Sequence, residues 1–254
     1  MAHFENKEFF RLYRKYLIKD TNKLKILEIG SYDVNGSIKN IFLPSNYIGC
    51  DISPGENVDI VSFGHELNLE DNYFDLVISS EVFEHDKNYK KTFKNMYRML
   101  KPNGTFLFTC AGLGRIEHGT SRTNPDHSPG NKLMEDDYYK NLAASDFSSF
   151  VDEKFHYYEF IENKFHKDLY FFGIKSSEVD LSSDELLKIN NFIISAKNIK
   201  RPIFSKIFYI MKRFIFVFKP FLSQAQFEKL LFGAIKLQTR ISKFIRDRGN
   251  FLKI

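Results

Sequence analysis

The chain lacks tryptophan, has only two cysteines, and contains no long uncharged apolar run among its 254 residues. Two cysteines are too few for a disulfide framework, so we expect a reducing compartment. A membrane-spanning helix needs about 20 mostly apolar residues, so no transmembrane segment is predicted. The charged N-terminus has no apolar core like that of a secretory signal, and we therefore expect a cytoplasmic location.

The composition is that of a globular protein, with 43% hydrophobic and 27% charged residues. It excludes collagen-like, low-complexity and wholly disordered chains. Charge is divided unevenly: residues 1–196 carry 23 Lys+Arg and 30 Asp+Glu, whereas residues 197–254 carry 14 Lys+Arg and two Asp+Glu. We predict a domain over residues 1–180 and a basic, helical extension over residues 181–254.

Short apolar runs alternate with helical periodicity in the first part of the chain. Strands are predicted at 24–29, 47–50, 59–62, 75–79, 105–110, 155–161 and 169–174, and helices at 4–19, 37–43, 89–100 and 136–142. This alternation predicts an α/β fold with a parallel, doubly wound sheet. The polar segment 111–135 is predicted to be a long functional loop, acting as a lid.

Acidic residues surround the turn that follows the first predicted strand, in the sequence LEIGSYDVNGS. Glu28 and Asp33 flank Gly30, which permits a sharp turn and close approach of a ligand. A phosphate site would favour amides and cations at this position, whereas carboxylates suit an ammonium group and hydroxyls.

A second acid, Asp51, ends the next predicted strand, where a carboxylate typically binds ribose hydroxyls. Tyr32 and Asn35 stand where a dinucleotide-binding fingerprint would need glycines. The residues therefore indicate a nucleoside that carries an amino-acid-like cation.

Residues 24–112 resemble the class I S-adenosylmethionine-dependent methyltransferases of the type-11 family. Four segments carry the resemblance in order: LEIGSYDVNGS, YIGCDISPG, ELNLEDNYFDLVISSEVFEH and LKPNGTFLFTCAG. The resemblance implies a Rossmann-like doubly wound sheet, S-adenosyl-L-methionine as cofactor, and methyl transfer as the activity. One departure stands out, because the family's commonest first motif has a second glycine where this chain has Tyr32. That side chain either points away from the cofactor or covers it.

The resemblance also implies which residues contact the cofactor. Those expected at the methionine moiety and its loop are Glu28, Gly30, Ser31, Tyr32 and Asp33. Those expected at the ribose and adenine are Asp51, Ile52, Gly64 and His65. Ser80 and Glu81 are expected beside the reacting methyl group.

His85 is the first candidate for a catalytic base, because it closely follows the fourth strand and imidazole titrates near neutral pH. A helix cap is the alternative role for this residue. His118, in the long loop, is a weaker candidate whose alternative is an exposed loop histidine. His3 is expected to be a solvated terminal residue. No cluster with metal-ligand spacing is visible in the sequence, so no metal site is predicted.

The loop's mixture of histidines, arginines and carboxylates favours O-methylation of a small molecule or saccharide, and cell-envelope polysaccharide synthesis is one process that uses such acceptors. A non-catalytic module that binds the cofactor or a membrane surface is the first alternative. A nucleic-acid methyltransferase is a weaker one, because no Asn/Asp-Pro-Pro-Tyr-type motif occurs.

The basic extension is predicted to form two amphipathic helices, at 203–222 and 224–247. Three interpretations stay open: packing on the domain or on a second subunit of an oligomer, adhesion of residues 200–250 to the anionic inner face of a membrane, and nucleic-acid binding. Nucleic acid is the least favoured partner, because the aromatic residues lie among aliphatic ones.

Overall fold

The computed structural model describes residues 3–34, 36–134, 137–152, 154–164, 166–178 and 180–199, and five isolated positions between 223 and 237. The chain divides into two compact units, Met1–Ile199 and Lys200–Ile254. The helix predicted at 203–222 lies outside the described residues, as does most of the segment 200–250; of the helix predicted at 224–247, only positions 226, 230, 233 and 237 are described, and each is helical. Across the part of the chain that is described, none of the helices is long and apolar enough to cross a membrane.

The first unit is built on a seven-stranded sheet with the order β3-β2-β1-β4-β5-β7-β6. The strands are β1 Lys25–Ile29, β2 Asn46–Asp51, β3 Ile60–Val61, β4 Phe74–Ser80, β5 Leu100–Ala111, β6 Phe155–Asn163 and β7 Asp168–Lys175. The first five strands in sequence pair in parallel, and β7 pairs antiparallel with both β5 and β6. The predicted doubly wound α/β fold is confirmed. The chain adds β2 and β3 on one side of β1 and then crosses over to place β4 and the remaining strands on the other side.

Helices cover both faces of the sheet. Those of the first unit are α1 Phe4–Leu17, α2 Lys39–Phe42, α3 Tyr89–Met99, α4 Pro129–Met134 and α5 Ser183–Lys197. On one face, aromatic side chains of α1 and α5, such as Phe9 and Phe192, pack over β1, β4, β5 and β7. On the other face, α3 packs through Phe93 and Met96 against a phenylalanine-rich core. The sheet is therefore buried on both sides, which explains the continuous apolar runs in its strands.

The structure corrects two predictions. The predicted helix 136–142 is wrong over residues 137–142, because their backbone bonds elsewhere: Lys140 N donates to the Glu84 carbonyl, and Leu142 N donates to that of Ala111. The predicted boundary after residue 180 falls too early. The first unit extends to Ile199, because Phe192 and its neighbours in α5 are buried against α1.

Candidate functional site

A cleft of about 350 Å³ opens at the carboxyl ends of β1, β2 and β4. Crevices of this kind in doubly wound sheets are the usual ligand sites, since loops diverge there on both sides of the first strand. Eight of the predicted cofactor residues line the cleft directly: Gly30, Tyr32, Asp51, Ile52, Gly64, His65, Ser80 and Glu81. The wall also includes His85, and the segment from His127 to Asn131 lies along one side.

Gly30 forms the sharp turn after β1 with a backbone φ of +84°. A Cβ at this position would lie 2.0 Å from Cγ2 of Val82, so the loop after β4 packs directly on the turn. The residue is constrained twice, by its left-handed conformation and by this contact. The turn after β1 and the loop after β4, which both border the cleft, are thus in direct contact at Gly30.

Asp51, at the end of β2, is held by two backbone amides. Its Oδ1 accepts a hydrogen bond from Ser53 N at 3.0 Å, and its Oδ2 accepts one from Tyr32 N at 3.2 Å. Burial raises the pKa of this carboxyl, although both amide bonds act in the opposite direction. The carboxylate is therefore fixed in orientation, with further lone pairs available to hydroxyl donors.

The side chain of Tyr32 turns toward the loop after β2. A Cβ on Gly55 would lie 2.2 Å from Cε2 of the Tyr32 ring, so the ring packs on this glycine at the edge of the cleft. Tyr32 thus stands where the family's commonest first motif has its second glycine. Its ring lines the edge of the cleft, and the cleft stays open beside it.

Three of the predicted cofactor residues lie behind the cleft instead of lining it. The Glu28 carboxylate is buried and accepts a hydrogen bond from the Tyr47 hydroxyl at 2.6 Å; burial raises its pKa to about 8. Ser31 N donates to the Cys50 carbonyl, and Asp33 caps the amide of Gly36. These side chains shape the turn after β1 from its protein side.

The opposite end of the cleft, beyond Asp51, is more apolar. Gly64 packs closely on Ile29, since a Cβ there would lie 2.9 Å from the Ile29 Cγ2 atom. Gly130 of α4 packs on Ile52 in the same way, since a Cβ on Gly130 would lie 2.4 Å from the Ile52 Cδ1 atom. The long loop therefore packs against the apolar end of the cleft.

Ser80 and Glu81 end β4 and join a buried polar network with the first helix. The Ser80 hydroxyl donates to the Asn6 side-chain carbonyl at 3.0 Å, and Asn6 Nδ2 donates to Glu81 Oε1 at 3.3 Å. Glu81 has a φ of +59°, an uncommon conformation for a residue other than glycine. Strain of this kind concentrates at functional sites.

His3 belongs to the same network, and its expected solvation is wrong. Its Nε2 lies 3.1 Å from Asp168 Oδ2 and 3.8 Å from Glu81 Oε2, and its Nδ1 lies 3.2 Å from Glu5 Oε2. Burial opposes protonation, but these carboxylates outweigh it and raise the pKa of His3 to about 9. The position of His3 beside the chain terminus gave no sign of this burial.

The two histidines proposed for catalysis meet in space although 33 positions separate them in the sequence. The rings of His85 and His118 lie 5.1 Å apart between centroids, and Tyr139 contacts both at 5.3 Å. Behind them, the fully buried carboxylate of Glu84 lies 3.9 Å from His118 Nε2. We call Glu84, His85, His118 and Tyr139 the histidine cluster.

The alternative role of His85 as a helix cap does not fit these contacts. Helix α3 has Asn88 as its N-cap, and the nearest polar contact of the His85 ring is Asn131 Nδ2, 3.4 Å from Nδ1. Gly119 of the long loop packs on the same ring. His85 is therefore held between the loop after β4 and the long loop.

Burial shifts the pKa of Glu84 and the pKa values of the two histidines in opposite directions. Burial, followed by the charge of Glu81, raises the pKa of Glu84 to about 8. Burial also lowers the pKa of His85 to about 3 and lowers that of His118, so both imidazoles are neutral near pH 7. For Glu81, burial acts upward, but the charges of His3 and Arg115 prevail and lower the pKa.

The residues fit a sulfonium nucleoside. The cleft combines a backbone-held carboxylate at Asp51, an apolar end at Ile52, and the buried, ionised Glu81 near the turn at Gly30. A vicinal diol, an aromatic base and a cationic amino acid moiety each find a group of the matching chemistry.

Comparison with known proteins adds a family match. A family model of type 11, described as a methyltransferase domain, matches residues 35–108. Among curated proteins, the hybrid PKS-NRPS synthetase xenE of Xenoacremonium sinensis is 30% identical over 109 residues, which cover 34% of this chain and 3% of that protein. The chain thus spans only a small part of this relative.

Several solved structures match part of this chain at low sequence identity. The CurJ carbon methyltransferase matches with a TM-score of 0.47 and 14% identity, over 68% of this chain and 55% of that one. The PH0226 protein from Pyrococcus horikoshii OT3 gives 0.48 and 16%, over 69% and 94%. The plantazolicin methyltransferase BpumL, in complex with SAH, gives 0.47 and 16%, over 67% and 82%.

The matched segment runs from the turn after β1 to β5 and so includes most of the cleft. The sequence motifs named above lie in or beside the same segment, and the sheet is the one that their resemblance implies. Residues 35–108 are therefore similar to the methyltransferase domain of the type-11 family, in agreement with the resemblance of the sequence motifs to class I S-adenosylmethionine-dependent methyltransferases.

Proposed function

We propose that the chain transfers the methyl group of S-adenosylmethionine to a hydroxyl oxygen of a small-molecule or saccharide acceptor that lies against the histidine cluster. The observation that carries this proposal is the pairing, in one cleft, of a backbone-held Asp51 with neutral His85 close to His118 and Tyr139. The family match over residues 35–108 supports the cofactor, and the histidine cluster supports an acceptor that must lose a proton.

The cofactor end is proposed to hold the nucleoside as follows. Asp51 accepts hydrogen bonds from the ribose hydroxyls, while Ile52 and Gly64 border the adenine. His65, whose Nδ1 is buried and makes no hydrogen bond among the described residues, adds a polar group beside the base. Glu81 and the turn at Gly30 would hold the methionine moiety. Glu28, Ser31 and Asp33 act through this turn.

The chemistry needs positioning and proton removal. When bound, S-adenosylmethionine supplies a methyl group on a sulfonium; transfer forms a carbon–oxygen bond, breaks the carbon–sulfur bond, leaves the electron pair on sulfur, and releases the acceptor's proton. His85 and His118 are proposed to meet the attacking hydroxyl and promote loss of that proton. Orientation of the two reactants accounts for much of such a rate enhancement.

The long loop is proposed to select the acceptor. Its segments from Gly119 and from Gly130 pack on His85 and Ile52, so it spans both ends of the cleft. Arg122 on this loop pairs with Glu117 at 2.7 Å and also contacts Asp137. Such a polar, charged surface suits hydroxyl-rich molecules, including saccharides of the cell envelope.

Calorimetry with S-adenosylmethionine and S-adenosylhomocysteine, followed by a transfer assay on a panel of polyols, sugars and phenols, tests the proposal. We expect binding of both compounds and formation of a methyl ether. Binding without transfer to any acceptor would favour a non-catalytic module. Salt-dependent affinity for RNA or DNA would favour a nucleic-acid methyltransferase.

For residues 200–250 we propose contact with an anionic membrane surface from the cytoplasmic side. The supporting observation is the charge of residues 197–254, with 14 Lys+Arg against two Asp+Glu. Sedimentation of the full chain with vesicles tests this. We expect binding to vesicles with phosphatidylserine, release by high salt, and no binding to neutral vesicles. Equal binding to both vesicle types would contradict it.

A further inference from the structure

The histidine cluster contains a buried carboxylate that its surroundings do not satisfy. Glu84 is fully buried, and neither of its side-chain oxygens makes a hydrogen bond with any residue that the structure describes. Buried carboxylates are normally paired, hydrogen-bonded or bound to a metal, because an unsatisfied one costs several kcal/mol. The nearest basic group is His118 Nε2 at 3.9 Å, beyond hydrogen-bond distance.

Two imidazole nitrogens converge on this carboxylate. One ligand atom each from Glu84, His85 and His118 lies within 4.8 Å of the other two. Ligand atoms about 2.1 Å from a single cation are about 3.4 Å apart in tetrahedral geometry. Side-chain shifts of about one ångström would therefore bring all three atoms to one ion.

The tautomer of His118 suits a ligand. Its Nδ1 lies 3.2 Å from the carbonyl oxygen of Ile116, which can only accept, and 3.3 Å from the Tyr139 hydroxyl, which itself donates to that carbonyl, so both neighbours favour the tautomer with the proton on Nδ1. In the neutral imidazole this leaves a lone pair on Nε2, the atom that lies toward Glu84. A backbone carbonyl that fixes the far nitrogen is the usual support of a metal-bound histidine.

We propose that Glu84, His85 and His118 bind one divalent cation, such as Zn²⁺, Co²⁺ or Mn²⁺, beside the part of the cleft wall that His85 forms. One carboxylate and two imidazoles are a common ligand set for these ions, and they leave coordination positions open for other oxygen ligands. The sequence conceals the site, because His118 comes from the long loop and only Glu84 and His85 are adjacent.

Two other groups of potential ligands lie in the His3 network, and they are already neutralised. In one, Asp168 contacts His3 at 3.1 Å and Arg115 at 3.0 Å. In the other, Glu5 contacts His3 and His166, both at 3.2 Å. A cation there would compete with cations that the protein itself supplies, so the structure favours the histidine cluster.

This inference rests on the proposed function, and it also restricts the chemical class of the methyl acceptor. An ion with open positions favours an acceptor with two neighbouring oxygens, such as a vicinal diol of a saccharide or a catechol. The ion would lower the pKa of the bound hydroxyl and so ease release of its proton to solvent. His85 would then act on the hydroxyl as a ligand of the ion.

Cobalt binding tests the site without any measurement of activity. The full chain is treated with a chelator and titrated with Co²⁺, following visible absorption and heat. We expect one equivalent to bind with a ligand-field band. Glu84→Gln and His118→Gln should each weaken binding at least tenfold. His3→Gln and His156→Gln should leave it unchanged; His156 lies at the start of β6 beside Asp180, near the amino end of β5.

The outcomes divide clearly. Unchanged Co²⁺ affinity in both Glu84→Gln and His118→Gln, with native circular dichroism, would overturn the proposal, as would loss of binding in His3→Gln alone. So would the absence of binding of Co²⁺, Zn²⁺ and Mn²⁺ at 1 mM, a concentration on the order of weak metal sites. The affinity of the native protein for S-adenosylhomocysteine, measured on the same samples, tests the proposed function separately. If the native protein does not bind S-adenosylhomocysteine, the proposed function is contradicted and the metal result still stands.

Discussion

The cleft and the histidine cluster beside it hold their carboxylates in opposite ways. Asp51 at the cofactor end of the cleft has an amide on each oxygen, supplied by neighbours in its own sequence motifs. Glu84 in the histidine cluster does not line the cleft and is more deeply buried, and neither oxygen has a hydrogen-bond partner among the residues described. A satisfied carboxylate is ready for one defined ligand, whereas an unsatisfied one is completed by something from outside the chain.

This difference separates binding from turnover. The cofactor end is built from the short turns after β1 and β2, which are packed on each other and on Val82. The histidine cluster is assembled from the loop after β4, the long loop, and the segment 137–142 that follows the long loop. We therefore expect substitutions at one end to change cofactor affinity and those at the other to change the rate of transfer.

The largest effect is expected from His85→Ala. Removal of a group that promotes proton loss typically costs 100-fold or more in rate, so kcat should fall at least 100-fold. Affinity for S-adenosylhomocysteine should change less than threefold, because the cofactor end is intact. Steady-state kinetics and calorimetry measure the two effects, with His156→Ala as the matched control. A fully active variant would end the role of His85 in the reaction.

Asp51→Ala should have the reverse signature. The ribose would lose two charge-assisted hydrogen bonds, each contributing about 1.5 kcal/mol or more, so affinity for the cofactor should fall about 100-fold. Asp59→Ala is the control, since Asp59 likewise accepts a backbone hydrogen bond, from Gly49 N at 2.8 Å, but lies outside the cleft. Equal affinity in the native and Asp51→Ala proteins would remove the ribose assignment.

The same contrast explains what the sequence could predict. The turn residues Gly30 and Asp51 follow short apolar strands, and local pattern was enough to locate them at one sheet edge. Six of the seven strands were likewise predicted within two residues of their observed bounds, because strands of a covered sheet are short apolar runs. The exception is β5, which begins at Leu100, five residues before its predicted start, because residues 100–104 had been assigned to a helix end and a turn.

The histidine cluster and the His3 network could not be predicted in full. Tyr139 fell within a predicted helix, and the distance from His118 to Glu84 depends on how the long loop folds back. His3 lies next to the terminus, and its burial follows only from the docking of α1 beside β4 and β7. Contacts of this kind are set by tertiary packing and leave no periodic signal.

Gly30→Ala tests whether the two ends of the cleft depend on the contact between their loops. The new methyl group would clash with Val82 Cγ2, and alanine is strained at a φ of +84°. We expect a loss on the order of 3 kcal/mol in stability, about 6 to 12 °C in Tm, and weaker cofactor binding. Gly233→Ala is the control, because a Cβ there meets no atom within 4 Å among the described residues. A thermal melt with unchanged Tm would contradict the packing argument.

The smallest effect concerns the His3 network, which borders the cleft through Glu81. Because the folded-state pKa of His3 is raised from 6.5 to about 9, its protonated form stabilises the fold. That contribution is fully present below pH 6.5 and is lost as the pH rises through 9, amounting to at most about 3 kcal/mol. Urea unfolding of the native protein and His3→Gln at pH 6, 7.5 and 9.5 should therefore show a stability gap that shrinks with pH. The same series with His156→Gln should show little gap, since its partner Asp180 is exposed. A stability difference between the native protein and His3→Gln that stays constant or widens toward pH 9.5 would mean that the network does not hold a proton on His3. Glu81 would then keep its charge beside the cleft without help from the first helix.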